Sequence, residues 1–136
     1  MVKRQNMKNK SSEKNKSKIW KGDDGIIYVE ITGSLDEHIV EELIKEIEEF
    51  LKEMPGEGRV LLDIQTPSII RSSEFRRGVV EWIKQVAKDP GFAKAAVFAN
   101  NIVIKTIASF ILVPSGVKSI KVFTTKPEAL KWLKQP

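Results

Sequence analysis

The chain has no cysteine and one histidine, His38, among its 136 residues. The first absence excludes disulfides and thiol chemistry. Together the two exclude His/Cys zinc clusters and any histidine-rich metal site. A chain without cysteine fits a reducing cytoplasm, where we expect this protein to act. Also missing are G-x-G-x-x-G after the first strand, G-x-x-x-x-G-K-[ST], G-x-S-x-G and H-E-x-x-H, the spacings that cradle phosphates, expose a serine nucleophile or hold zinc. No cofactor is expected. His38 lies beside Glu37 and Glu41 on a helix surface, and the order of elements brings it no Ser or Asp partner for base catalysis.

Excess charge is also absent from most of the chain. The formal net charge is +5, yet residues 1–18 hold seven Lys/Arg against one Glu, so +6, leaving 16 basic and 17 acidic residues elsewhere, −1. The segment "MVKRQNMKNKSSEKNKSK" has no periodic apolar residues and cannot bury enough surface to offset its ordering entropy. We expect a disordered basic arm over 1–18. It reads as a solubilising leader, with salt-sensitive attraction to nucleic acid or anionic lipid as the alternative. Nucleic acid enters the reading only through this arm. The charged run leads into no apolar stretch with a small-residue cleavage site, so it does not read as a signal peptide.

What is present is regular. With 41% apolar and 30% charged residues, the chain has an ordinary soluble balance, and its length suits one domain over 19–136. "KIWKGDDGIIYVEITG" predicts a hairpin, Ile19 to Lys21 and Ile26 to Thr32, around an Asp-Gly turn. Ile39, Leu43, Ile47, Phe50, Leu51 and Met54 follow at helical spacing, with Ser34 or Asp36 as cap. "RVLLDI" is a buried strand, residues 59–64, and a second helix runs from about Glu74 to Lys88. "AKAAVFA" is a third buried strand, a helix spans roughly Ile102 to Leu112, and "PSG" breaks it. "KSIKVF" and "TKPEALKWLKQ" give the last strand and helix, with Thr124 or Thr125 as cap. The fold class is α/β: an N-terminal β-hairpin, then alternating strands and helices, giving a mostly parallel sheet of four or five strands with about four helices on both faces.

Three places can carry function. Asp63 ends a central strand, where ligands bind in open α/β sheets; it could ligate a metal or, as we favour, anchor the loop after it. The serines of "RSSEF" can cap the second helix, Ser73 first and Ser72 if the helix starts earlier. Phosphate on either would sit at the positive end of a helix near Arg71, Arg76 and Arg77. In "NNIVIKTIASFILV" apolar residues run nearly all the way round a helix too short to span a bilayer. Ile104, Ile107, Phe110 and Ile111 therefore offer a homodimer contact or an apolar ligand cleft. Trp82 and Trp132 could line such a cleft, or each be simple core.

The helix "GSLDEHIVEELIKEIEEFLKE", the strand "VLLDI", the serine-bearing loop and the ending "IKVFTTKPEALKWL" together resemble the SpoIIAA-like branch of the STAS superfamily, grouped as STAS/SEC14-like. The resemblance covers about residues 20–135. It implies a regulatory, non-enzymatic module with a protein partner, and its SEC14-like grouping implies a lipid or other apolar ligand as the alternative. An enzyme without a recognised motif, with Asp63 at its centre, is the remaining competitor. Anti-sigma-factor antagonists carry a D-S-S-G motif whose second serine is phosphorylated. The matching positions are Arg71, Ser72, Ser73 and Glu74, so Arg71 stands for the motif's Asp and Glu74 for its Gly. Glu74 adds bulk and a charge that disfavours a neighbouring phosphate.

Overall fold

The computed structural model describes residues 17–32, 37–65 and 73–136, with 73–75 described by backbone alone. Of the sequence features above, the basic arm up to residue 16 and the capping residues Ser34 and Asp36 lie outside these residues. Five strands form one sheet in sequential order: β1 (Lys18–Lys21), β2 (Ile27–Ile31), β3 (Gly58–Ile64), β4 (Phe92–Phe98) and β5 (Ile120–Phe123). β1 and β2 are antiparallel, and every later pairing is parallel. The hairpin turn is held by Asp24, whose Oδ1 accepts from Ile26 N–H at 3.1 Å, and by Gly25 at φ 83°. Only glycine adopts that conformation freely.

Between the parallel strands run α1 (Glu37–Leu51), α2 (Ser73–Ala87) and α3 (Asn101–Ile107). A right-handed crossover that always advances in the same direction across a sheet leaves every helix on the same face. Accordingly Ile19, Ile27, Val29, Val60, Ala95, Val97 and Ile120 from alternate strand positions pack with Leu43, Ile47, Val79, Val86, Val103 and Ile107 in one large core. The opposite face is covered by one helix, α4 (Lys126–Lys134), so the two faces are unequal rather than both clad by crossovers. Ile26, Leu61 and Ala96 meet Ala129 and Leu133 there.

α3 does not stop at "PSG". It continues through a π-helical stretch (Ala108–Leu112) into a last turn (Val113–Ser115), ending at Gly116 with φ 71°. Pro114 has no N–H to donate and its ring crowds the carbonyl four residues back. The wider turn before it, where Val113 N–H reaches back to Ala108 O, accommodates that ring inside the helix. α4 is capped by Thr125, whose hydroxyl accepts from Glu128 N–H at 3.4 Å while its side chain also pairs with Glu128 Oε1 at 2.8 Å. Where α1 meets the starts of β3 and β4 the packing admits no side chain. A Cβ on Gly91 would overlap Leu51 O, and one on Gly58 would overlap both Leu51 Cδ2 and Gly91 O.

Candidate functional site

The continuous helix from Asn101 to Ser115 divides into two sides. Val103, Ile104, Ile107 and Ile111 are buried in the main core. Ile102, Phe110 and Val113 are 72%, 56% and 75% exposed, three large apolar side chains facing solvent from one side of the helix. Beside them, the Arg76 guanidinium of α2 lies 5.1 Å from the centre of the Phe110 ring. A cation over an aromatic face holds both in place at the surface. Of the four helix residues expected to form a dimer or ligand surface, only Phe110 therefore faces outward. Ile102 and Val113 were missed, although the signal was there. Core-facing positions 103, 104, 107 and 111 recur at helical spacing, which leaves 102, 110 and 113 for the other side.

α2 begins at Ser73, one residue earlier than its spacing predicts. Arg71 and Ser72 lie outside the described residues, as do the side chains of Ser73 and Glu74. The described part of α2 places Arg76 and Arg77 within its first turns, with Arg76 next to the exposed side of α3.

Ile107, Ile111 and Trp82 come together elsewhere, in the wall of an apolar cavity of about 90 Å³ between the helices and the sheet. Trp132 does not join them. It sits on α4 across the sheet, its ring centre 5.8 Å from that of Phe123, with Lys94 and Lys121 Nζ 4.6 and 5.5 Å from its ring centre. Lys94 Nζ also donates to the Trp132 and Gln135 carbonyls, each at 2.7 Å, closing the C-terminus of α4. Burial pulls the Lys94 pKa below its ordinary value, and the positive charges of Arg59 and Lys121 add to that.

Asp63 points to the outer face, paired in register with Glu30 of β2 and Phe98 of β4. Gln65 Nε2 donates to its Oδ2 at 3.1 Å. Asp63 and Glu30 share a narrow cleft with Trp20, Tyr28 and Lys126, so a second carboxylate lies beside Asp63 although none is near it in sequence. Strand register alone creates that neighbourhood. Trp20 stacks on Tyr28 with ring centres 5.5 Å apart and planes 6° from parallel. Among the described residues no group of three or more His, Asp or Glu could hold a metal ion, and no helix is long and apolar enough to cross a membrane. His38 pairs at 3.3 Å with Glu42 on the exposed side of α1.

A sequential sheet opened by a hairpin, three crossover helices on one face and a final Trp-bearing helix clamped over Phe123 agree with a comparison against known families, in which the SpoIIAA-like model matches residues 26–134. The chain belongs to the SpoIIAA-like family. The match spans nearly the whole sheet and all four helices, from the residue before β2 to the end of α4. Among curated proteins none matches the chain. Within this SpoIIAA-like domain, the F-x(n)-E-A-x-x-W-L ending is the set of contacts that docks α4: Phe123 against Trp132, with Ala129 and Leu133 wholly buried. Its residues secure the fold, and the exposed apolar surface lies on the other side of the sheet.

Proposed function

We propose that this SpoIIAA-like chain is a non-enzymatic regulatory module that binds a protein, through the exposed side of α3, the start of α2 and the segment 65–74 that precedes it in sequence. One observation carries the reading: Ile102, Phe110 and Val113 stand in solvent on one side of a helix whose opposite side is already in the core. Large apolar side chains grouped on a surface mark contact sites more often than isolated ones do. The Arg76 guanidinium over Phe110 adds an aromatic and arginine pair, the residue types that anchor interfaces. Family membership supports a regulatory or interaction role in general. Phosphate on Ser72 or Ser73 is the regulated form of this reading, since it would meet the positive end of α2. A chain without cysteine fits action in the cytoplasm.

Native mass spectrometry of the full chain, purified gently from its own cells, tests this. A bound protein or a second copy is expected, and Phe110→Asp with Val113→Asp should weaken that association by about tenfold or more while leaving the circular dichroism spectrum unchanged. A bare monomer under conditions that preserve weak complexes would defeat the proposal. A phosphate-sized increment on Ser72 or Ser73 would add the switch to it.

A further inference from the structure

β1 runs against the other strands, so its end meets the starts of β2 and β3 at one edge of the sheet. There a groove of about 450 Å³ opens between the hairpin turn and the loop from α1 to β3. Its floor holds two cations, Lys21 at the end of β1 and Arg59 near the start of β3, with buried Ile26 between them in the sheet. Its rim holds carboxylates, Asp24 on the hairpin turn and Glu53 and Glu57 on the loop after α1. Asp24 is already engaged, because its two oxygens accept from Ile26 N–H and from the Tyr28 hydroxyl. Arg59 is not. Its Nε is buried without a hydrogen-bond partner, and among the described residues its guanidinium enters no ion pair. It lies opposite Lys94 in register, and after burial itself the charges of Arg59 and Lys121 are what hold the Lys94 pKa below its ordinary value. Arg59 therefore meets other cations and finds no acceptor. Burying part of a guanidinium unpaired costs free energy, and native proteins leave few buried polar atoms without a partner.

We infer that this groove binds a small zwitterion of the amino-acid class, its carboxylate held by Arg59 and its ammonium by Glu53 and Glu57. The planar fork of a guanidinium matches the two oxygens of a carboxylate and supplies the acceptor that the fold does not. A ligand carrying a carboxylate alone would face the acidic rim. One carrying an ammonium alone would leave Arg59 unpaired and set a further cation beside Lys21. With both groups present each charge meets its opposite, and the groove is within the size range of small-molecule sites. None of these residues belongs to the exposed side of α3, so the inference stands whether or not a protein binds there.

NMR titration of the ¹⁵N-labelled full chain at neutral pH tests this with probes of equal carbon number: norvaline and 5-aminovalerate as zwitterions, valerate and pentylamine as the two single charges. At least one zwitterion should saturably shift the Arg59 Nε–H signal together with the backbone amides of Gly25 and Glu57. The amides of Ile102 and Lys105 on α3 should not move. Tighter binding of norvaline would identify ligands with both charges on one carbon, and tighter binding of 5-aminovalerate those with the charges at opposite ends. Valerate and pentylamine should each bind about tenfold more weakly or worse. Arg59→Gln should weaken the zwitterion by about tenfold or more and, because it removes an unpaired cation beside Lys94, should leave the melting temperature unchanged or raise it. Should that variant not fold, Glu53→Gln with Glu57→Gln reports from the rim, by bringing the zwitterion down to the affinity of valerate. No shift with either zwitterion, equal affinity for valerate or pentylamine, binding undiminished in a folded variant, or a lowered melting temperature in Arg59→Gln would each overturn the inference, the last by showing that the fold already supplies a partner to Arg59.

Discussion

The two faces of the sheet are built to different tolerances. On the helical face three crossovers bring many apolar side chains together, and they still leave space around Leu62 and Ile83. On the outer face, among the described residues, one nine-residue helix does all the covering, with Ala129 and Leu133 completely buried and lysines from β4 and β5 laid over Trp132. A face held by few contacts must hold each of them well, whereas a face held by many has room for slack. Slack on the face with three helices and tight closure on the face with one follow from a topology that puts every crossover on one side.

Truncating side chains on the two faces should break or confirm this contrast. Leu133→Ala removes a wholly buried side chain from the single covering helix and should cost about 3–4 kcal/mol. Ile83→Ala, on a wall that is already half-open, should cost about half as much, because fewer neighbours are lost and the helices can close in. Urea unfolding of both variants measures the difference; equal losses would mean the helical face is packed as tightly as the outer one. A smaller effect is expected from Lys94→Met. This keeps the stem over the Trp132 ring but removes the ammonium that donates to the Trp132 and Gln135 carbonyls, and should cost about 1 kcal/mol. A neutral outcome would show that water satisfies those carbonyls and that α4 is held by its apolar side alone.

Much of this arrangement was legible in the sequence. Alternation along β2, the run of small apolar residues in β4, the spacing of Leu43, Ile47 and Phe50, and the Thr125 cap each reflect a local rule, and β2, β4 and α4 appeared within a residue of their expected places. Helices were expected on both faces and are found there, but alternation of strand and helix does not say which way successive strands advance, and so left open that all three crossovers share one face. Pro114 read as a break because a proline's cost is local, while the π turn that absorbs it is a property of the whole helix. The functional surfaces were the least legible part. Ile102 and Val113 are indistinguishable by residue type from Ile104 and Ile107, and helical spacing separates the two pairs only once the core-facing positions are known. Glu30 and Asp63 became neighbours through strand register, which no local rule supplies.

The outer face also contains a natural reporter on how closed it is, because Tyr28 is the chain's one tyrosine. Its hydroxyl donates to Asp24 Oδ2 at 2.6 Å beneath the Trp20 ring, with Lys126 Nζ 5.9 Å from its ring centre. Burial raises the Tyr28 pKa, and the hydrogen bond to Asp24 and that carboxylate's charge raise it further, to about 12. Burial also works to raise Asp24, but the Tyr28 hydroxyl and the Ile26 N–H outweigh it and bring that carboxyl below its ordinary range. Because the folded value of Tyr28 lies above the unfolded one of about 10, its contribution to stability is complete below pH 10 and drains away as pH climbs toward 12. Tyrosinate absorbance should therefore show a single transition near pH 12 in the native protein. In Asp24→Asn the hydrogen-bonding oxygen remains but the charge is gone, so the midpoint should fall part of the way toward 10, burial supplying the remainder. A native midpoint already near 10 would place Tyr28 in open water, and the hairpin end of the outer face would then count with the loosely built parts of the molecule rather than with the tightly closed ones.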